Sequence, residues 1–310
     1  MLFGRRATSG NGYKQPRFLK KALIGVIILI LLVLIPVLYM KFDVRTSSER
    51  RRLRELFESG AFDNAYAQSG EMLKESPLDS LLLTIHGFSA YQLAIAQTNN
   101  YDTLIFVDDC IWSLRKAMLS RENQADGRIF YVLGKAYYYK GYGYADLAIN
   151  YLEKARTALY KAADIPEYLG LAYAAVRDFR SSVEAFSQAL TGKADPSDLL
   201  LLSIARSYLA LEEADPAKAY LVRCLDVSKD SKTKAQARLL LGNAFVKTGN
   251  NREAEAEYLK VIEEDDENAE AHYQLGELYA LDGDLTRARA EWRRAIRIDP
   301  AHGSARSRLN

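Results

Sequence analysis

Residues 269–279 read Ala-Glu-Ala-His-Tyr-Gln-Leu-Gly-Glu-Leu-Tyr, and Ala288, Trp292, Ala295 and Pro300 follow them. The same order of large and small apolar side chains returns 34 residues upstream, at Leu241, Gly242, Phe245, Ala254, Tyr258 and Val261. A pattern that recurs at a fixed period of about 20 to 50 residues is the sequence signature of a repeat protein. The chain is therefore expected to build its core from one small unit used many times.

One column of this pattern holds a small residue in nearly every copy. Its members are Leu53, Gly87, Gly134, Gly170, Ala205, Gly242 and Gly276. Successive members lie 34, 47, 36, 35, 37 and 34 residues apart. The apolar residues of each copy recur every three or four positions, which is the spacing of one helix face, and no alternating strand pattern competes. Because two helices approach closely only where a side chain is small, the column predicts the crossing point of a helix pair in an all-α fold.

The complete unit resembles the tetratricopeptide repeat (TPR), whose pattern is Trp-x-x-Leu-Gly-x-x-Tyr, then Ala-x-x-x-Phe-x-x-Ala, then Pro. The resemblance implies a right-handed superhelical solenoid of helix-turn-helix repeats over residues 46–310, in which stacked neighbours share a continuous core. The expected repeats are 46–79, 80–126, 127–162, 163–197, 198–234, 235–268 and 269–302. A short stub follows the last repeat, and its Leu309 is expected to cover the last core.

The second repeat departs from the common length. An excess of 13 residues separates Gly87 from Gly134, and it includes Tyr-Asp-Thr-Leu-Ile-Phe-Val-Asp-Asp at residues 101–109. This excess is expected to lengthen the helices of the second repeat or their connection.

A membrane anchor is predicted before the repeats. Residues 22–40 carry no charge, and as a helix these 19 residues would span about 28 Å, close to the hydrocarbon thickness of a bilayer. The exit, Val-Leu-Tyr-Met-Lys at residues 37–41, has no small-x-small cleavage site, so the segment is expected to stay uncleaved. The sequence then divides into a basic tail (1–21), one transmembrane helix (22–40), a short linker (41–45) and the solenoid.

The orientation of this anchor rests on its flanking charges. Six basic residues lie on each side, so a simple count does not decide between the two orientations. Arg17, Lys20 and Lys21 lie nearest the membrane, whereas the basic residues at 50–54 fit a first folded helix. The N-terminus is therefore predicted to face the cytoplasm, and the repeats the periplasmic or exported side of a bacterial inner membrane.

The composition argues against one class of function, nucleic-acid binding. The 310 residues are 49% hydrophobic and 26% charged, and the net charge of +2 lacks the basic excess expected of a nucleic-acid-binding protein. The acidic tract at residues 263–267 is interpreted as the solvated end of a helix and its turn. Cys110 and Cys224 fall where the repeat requires small buried side chains, so both are expected to be inert core thiols.

The pattern predicts no catalytic, cofactor-binding or metal-ligating residue, and an enzyme is not expected. His86, His272 and His302 lack metal-ligand spacing and are interpreted as structural or solvated. The sequence Gly-Tyr-Gly at 141–143 lacks the strand and third glycine of a nucleotide loop, so it is interpreted as a helix–helix turn. The pair Asp108-Asp109 is interpreted as solvated surface because adjacent residues on a helix point about 100° apart.

The TPR resemblance also implies a binding groove, because the first helix of each TPR unit lines a concave surface that takes peptides or partner helices. The candidate groove residues are Phe88, Tyr91, Arg128, Tyr131, Lys135, Tyr138 and Tyr139. Further positions in the same columns are Thr84, Gln92, Glu167 and Leu171. Tyrosines beside a cation are typical of interface hot spots, although the same tyrosines could instead pack against the next repeat. Lys135 and Asn243 stand three repeats apart, which argues against a carboxylate clamp of the chaperone-binding type.

The predicted function is that of a membrane-anchored TPR scaffold or adaptor whose partners are proteins. Anchored TPR proteins of similar architecture act in secretion, outer-membrane biogenesis, cell-wall assembly and flagellar-motor scaffolding. One alternative is a cytosol-facing receptor for targeting peptides or chaperones, which would bind basic amphipathic segments. The oligomeric state and the partner's identity stay open at this level.

Overall fold

The computed structural model describes residues 32, 34, 47–191 and 195–309. Apart from Leu32 and Leu34, which are helical, the predicted span at 22–40 lies outside these residues, as do the tail 1–21 and the linker 41–45. Among the helices that are described, none combines the length and the apolar character that crossing a membrane requires.

Over residues 47–191 and 195–309 the chain forms fifteen α-helices and no β-strand, which confirms the predicted all-α repeat architecture. The helices are α1 (47–58), α2 (Phe62–Glu75), α3 (Ser80–Ala96), α4 (Asn100–Ala117), α5 (Gly127–Lys140), α6 (Ala145–Thr157), α7 (Ile165–Ala175), α8 (Phe179–Leu190), α9 (Asp198–Ala210), α10 (Ala214–Val227), α11 (Ser231–Lys247), α12 (Asn251–Glu264), α13 (Ala269–Leu281), α14 (Leu285–Ile298) and α15 (Gly303–Leu309). Two 3₁₀ turns, Arg121–Asn123 and Tyr142–Tyr144, precede α5 and α6.

The helices pack in sequence order as hairpins, each formed by an odd-numbered first helix and the even-numbered second helix that follows it. First helices of neighbouring hairpins also contact one another, from α3 with α5 through to α11 with α13. Second helices of neighbouring hairpins do not reach comparable contact within the described residues. The first helices are therefore the more closely spaced layer, and they form the concave face of the solenoid.

The small-residue column lies where the two helices of a hairpin cross, as predicted. A Cβ atom added at Gly134 would stand 2.6 Å from Leu152 Cγ, and one at Gly276 would stand 2.6 Å from the Trp292 ring. These separations are shorter than any ordinary carbon–carbon contact, so the crossing requires a residue without a side chain. Leu53, the one large member of the column, is fully buried in the first hairpin.

The turn inside each hairpin also repeats. The residue seven positions after the small-residue column has a positive φ in six of the seven hairpins: Gly60 (78°), Gly141 (111°), Arg177 (63°), Glu212 (63°), Gly249 (76°) and Gly283 (85°). Only glycine adopts this left-handed region without an energetic cost, so Arg177 and Glu212 adopt it with some backbone strain. The second hairpin is the exception because its first helix, α3, continues through the corresponding position.

Three local features differ from or extend the sequence expectations. The excess residues of the second hairpin lengthen its helices, as one of the two expectations had it, because α3 and α4 have 17 and 18 residues. The connection between them, residues 97–99, stays short, and the added 3₁₀ turn lies after α4. The sixth hairpin begins at Ser231 rather than at 235, because the Asp230 carboxylate caps α11 by accepting from Thr233 N at 2.8 Å. The predicted stub contains α15, from which Leu309 packs against the last core.

Two loop predictions are confirmed. The acidic tract 263–267 is exposed at the end of α12 and in the turn that follows it. The Gly-Tyr-Gly sequence at 141–143 lies in the 3₁₀ turn between α5 and α6, so it joins two helices.

Candidate partner-binding groove

A buried ammonium group lies where the first helices α5 and α7 meet. Lys135 is 8% exposed. Its Nζ donates to Asp164 Oδ2 at 2.7 Å and to the Tyr131 hydroxyl at 3.1 Å. The Tyr131 hydroxyl in turn donates to the Asp164 carboxylate at 2.9 Å. The Tyr168 ring centroid lies 4.2 Å from Nζ, within cation–π range, so the ammonium is satisfied from within the protein.

The protonation of this cluster follows from its contacts. Burial alone would lower the pKa of Lys135, but its hydrogen bonds to Asp164 and Tyr131, with the Asp164 charge, hold that pKa above its usual value. Burial raises the pKa of Tyr131, and the Asp164 carboxylate raises it further. Lys135 is therefore charged and Tyr131 is neutral at physiological pH. A nucleophilic lysine requires a lowered pKa, whereas the pKa of Lys135 is raised, as in an ion pair.

More tyrosine rings surround the ion pair. The Tyr139 hydroxyl lies 2.9 Å from the Tyr168 hydroxyl, and the Tyr138 ring packs edge-on against Tyr168 at 5.2 Å. The Tyr91 ring lies 6.5 Å from that of Tyr139. Burial, followed by the hydrogen bond with Tyr168, raises the pKa of Tyr139 to about 12. The rings of Tyr138, Tyr139 and Tyr168 therefore present neutral aromatic surface with hydroxyl groups at its edge.

Arg128 extends the cluster toward the first repeats. Its guanidinium carbon lies 4.4 Å from the Phe88 ring centroid and 5.6 Å from that of Phe57. The three residues belong to α5, α3 and α1, so this stack connects the first helices of three successive hairpins.

The seven residues predicted to line the groove therefore divide into two groups. The buried group, which packs between repeats, is Phe88, Tyr91 and Lys135. The group that keeps exposed or half-exposed surface is Arg128, Tyr131, Tyr138 and Tyr139. The two groups arise because the groove-facing and neighbour-facing sides of a helix are adjacent, so a column pattern does not separate them. Direct contact with a partner stays a prediction for the second group.

An open cavity of about 520 Å³ adjoins this cluster on the concave face. It lies among the first helices α5, α7 and α9, next to the starts of the second helices α6 and α8, and we refer to it as the central cavity. Its lining includes Tyr138, Tyr139, Leu171, Ala174, Phe179 and Arg206. Sequence reasoning found the tyrosines and Leu171 but missed Ala174 and Phe179.

The central cavity results from a change of side-chain size between repeats. Tyr138 and Tyr139 follow the small-residue column by four and five positions in the third repeat, and Ala174 and Ala175 hold those positions in the fourth. The backbone repeats while the side chains shrink, and the space opposite the tyrosines is left open. The sequence does contain a signal for this cavity, because alanine replaces tyrosine at these two positions of the repeat.

The electrostatics change along the groove as well. The exposed Arg206 on α9 donates to Gln236 Oε1 at 3.0 Å. Across the described ranges, no carboxylate lies within ion-pair distance of Arg206. Lys247 on α11 donates to the Leu209 carbonyl at 3.4 Å and likewise forms no ion pair with a described residue. The Lys135 charge is thus neutralised within the protein, whereas Arg206 on α9 and Lys247 on α11 have no ion-pair partner among the described residues.

The histidines hold structural positions, as interpreted from the sequence. His86 stacks on the Tyr66 ring at 4.3 Å, and burial lowers its pKa. His272 is buried, with Nδ1 2.6 Å from Glu291 Oε2. His302 precedes α15, and its Nδ1 accepts a hydrogen bond from the backbone N–H of Ala305 in that helix at 3.2 Å. Within the described part of the chain, no group of three His, Cys, Asp or Glu residues is placed to hold a metal ion.

Both cysteines are buried free thiols, as expected. Burial raises the pKa of the Cys110 thiol, and it raises the pKa of Cys224 to about 11. Since the thiolate is the reactive form, neither residue has the character of a nucleophile at neutral pH.

The interpretation of Asp108-Asp109 as solvated surface is wrong for Asp109. The Tyr66 hydroxyl donates a hydrogen bond to its carboxylate, which connects α4 to α2. Asp108 is exposed, but it pairs with Lys140 Nζ at 2.6 Å. The two carboxylates point apart as the helix geometry predicted, and each contacts a different neighbouring helix.

The Asn243 side chain is also engaged within the protein, because its Oδ1 accepts from the Tyr258 hydroxyl at 2.6 Å. With Lys135 paired to Asp164, neither residue of the doubtful carboxylate clamp is free to bind a peptide terminus.

Part of the sequence is similar to a known protein family. Residues 239–302 match the family model described as tetratricopeptide repeat. A search of curated proteins by sequence found no match.

Several solved TPR structures are similar in fold. The C-terminal part of a TPR repeat-containing protein from Cytophaga hutchinsonii superposes with a TM-score of 0.58 at 17% identity, covering 84% of this chain and 99% of that one. YrrB, described as a TPR protein with an unusual peptide-binding site, gives a TM-score of 0.51 at 22% identity, covering 63% of this chain and 97% of that one. The Cut9–Hcn1 hetero-tetramer of the APC/C gives 0.50 at 15% identity, covering 83% of this chain and 47% of that one. At these identities the likeness shows the fold, and together with the family match it supports the TPR resemblance.

Proposed function

We propose that this protein is a membrane-anchored scaffold or adaptor that binds partner proteins in its concave groove. The observation that carries the proposal is the central cavity, which is open among the first helices of three successive repeats. The TPR fold is typical of non-catalytic scaffolds that mediate protein–protein interaction. A groove with an apolar floor and a few convergent polar groups is the form that binding sites take.

The proposed anchor is residues 22–40, acting as a single transmembrane helix that confines the solenoid to a membrane surface. Their uncharged run and length support this assignment. Arg17, Lys20 and Lys21 next to the span support an N-terminus in the cytoplasm. The repeats would then act in assembly of a bacterial envelope machine, in secretion, in cell-wall synthesis or as a flagellar-motor scaffold.

Site-specific photo-crosslinking in cells tests the groove. A photoreactive amino acid at Tyr139 on the concave face should form a discrete adduct with a partner protein. The matched control is Leu147 on the second helix α6, because the two side chains are 37% and 38% exposed. Equal adducts from both positions, or none from any concave position, would contradict binding in the groove.

A reporter enzyme fused after Asn310, active only when exported, tests the anchor and its orientation. Activity in a membrane-bound, full-length fusion is the expected result. An inactive but membrane-bound fusion would overturn the orientation and favour the cytosol-facing receptor. A fusion that fractionates away from membranes would overturn the anchor itself.

A further inference from the structure

We propose that the central cavity receives one large apolar side chain of a partner segment, and that Arg206 binds an acidic side chain beside it. This inference rests on the proposed scaffold function and names the chemistry of the segment that the groove selects.

The cavity has an apolar lining and more than enough room for one large side chain. Its volume of about 520 Å³ falls within the range of about 300–1,000 Å³ that is usual for ligand pockets. Leu171, Ala174 and Phe179 give it an apolar floor, and Tyr138 forms one wall. Tyr142, which also lines the cavity, is 84% exposed and offers further aromatic surface to an occupant. Rigid aromatic walls around a desolvated pocket are where binding energy concentrates in protein interfaces.

The charges around the cavity define a direction. Arg206 stands on the α9 side, and no described carboxylate pairs with it. The Lys247 ammonium adds positive charge one hairpin further along. A bound segment is therefore expected to place an acidic residue toward α9.

Arginine suits this role because its planar guanidinium binds a carboxylate through two parallel hydrogen bonds. A basic amphipathic segment, the ligand expected of a targeting-peptide receptor, would instead bring like charge to Arg206 and Lys247. The geometry thus favours an acidic segment with an apolar anchor over a basic one.

The test begins with a random 12-residue peptide library displayed on phage and selected against the full chain in detergent micelles. We expect the enriched peptides to carry a large apolar or aromatic residue, with Asp or Glu within about one helical turn of it. Enrichment of basic peptides, or no enrichment above the naive library, would overturn the proposal.

The best enriched peptide is then made synthetically, labelled, and titrated by fluorescence anisotropy against three variants. Arg206→Glu should weaken binding by about tenfold or more, since it replaces a charge-assisted hydrogen bond by repulsion. Ala174→Tyr, which gives the fourth repeat the side chain of the third, should fill the pocket and weaken binding similarly. The control is Arg223→Glu, an exposed charge reversal on the second helix α10, which should change affinity less than about twofold.

Circular dichroism of each variant checks its fold, and Ala174→Leu is a smaller filling if the tyrosine variant does not fold. A peptide that binds wild type, Arg206→Glu and Ala174→Tyr equally would refute the cavity assignment. The scaffold function would still stand if that peptide competed with crosslinking at Tyr139. Loss of that crosslink together with absence of any bound peptide would overturn both.

Discussion

Replacing Lys135 by methionine separates the structural role of this residue from a role in binding. The substitution keeps an unbranched apolar stem and removes the ammonium group. It deletes the 2.7 Å ion pair to Asp164 and the 3.1 Å hydrogen bond to Tyr131, together with the cation–π contact to Tyr168. The expected result is a local loss of stability where α5 meets α7.

The size of that loss follows from the exposure of the partner. Removing one member of a fully buried ion pair costs about 3–5 kcal/mol, because the other charge is left without a partner. The Asp164 side chain keeps 35% of its surface exposed, so water solvates part of the orphaned carboxylate. Methionine also removes the cost of burying an ammonium group. We therefore expect a loss of about 2 kcal/mol, comparable with one charged hydrogen bond.

Hydrogen exchange measured by mass spectrometry reports this loss where it occurs, since a solenoid can open locally. A loss of about 2 kcal/mol corresponds to amide exchange about 30-fold faster in α5 and α7. The matched control is Lys140→Met on the same helix: its partner Asp108 is 58% exposed, so about 1 kcal/mol or less is expected. If Lys135→Met exchanges like wild type while crosslinking at Tyr139 disappears, Lys135 is a ligand contact and this reasoning is refuted.

Three further outcomes are expected, each measured by urea unfolding monitored with circular dichroism. Gly276→Ala should lower the free energy of unfolding by about 1–3 kcal/mol, because the added Cβ would stand 2.6 Å from the Trp292 ring. This loss is expected despite the better helix propensity of alanine. An unchanged urea midpoint would mean that the ring moves freely. Arg177→Gly should stabilise by about 0.5–1 kcal/mol by relieving a φ of 63°, and a loss of stability would show that the arginine side chain matters more. Because burial holds the pKa of His86 below that of the unfolded chain, the unfolded state binds more protons, and stability should fall as the pH drops below about 6.5. His86→Gln should flatten that fall between pH 7 and 5, and an unchanged slope would exclude His86 as its cause.

The helix pairs could be predicted from the sequence because their determinants are local and repeated. A glycine such as Gly242 records a crossing point by itself, since only a residue without a side chain fits there. The burial of Phe88 and Tyr91 could not be read in the same way. Each residue lies on a helix side shared by the groove and the neighbouring repeat, so the outcome depends on how that neighbour is placed. Asp109 was misread for a similar reason, because its partner Tyr66 comes from the preceding repeat and no spacing rule connects them.

A repeat array presents nearly the same backbone in every unit, so a single column of side chains decides which unit binds. The residue directly after the small-residue column is charged in four of the first helices: Arg54, Lys135, Arg206 and Glu277. Lys135 pairs with Asp164, and the Arg308 side chain of α15 pairs with Glu277. Arg54 and Arg206 form no ion pair with a described residue, and of these two Arg206 is the one that lines the central cavity. The exposed Arg206 guanidinium is solvated by water, and its position at the edge of an apolar pocket allows a charge-assisted hydrogen bond to a partner's carboxylate.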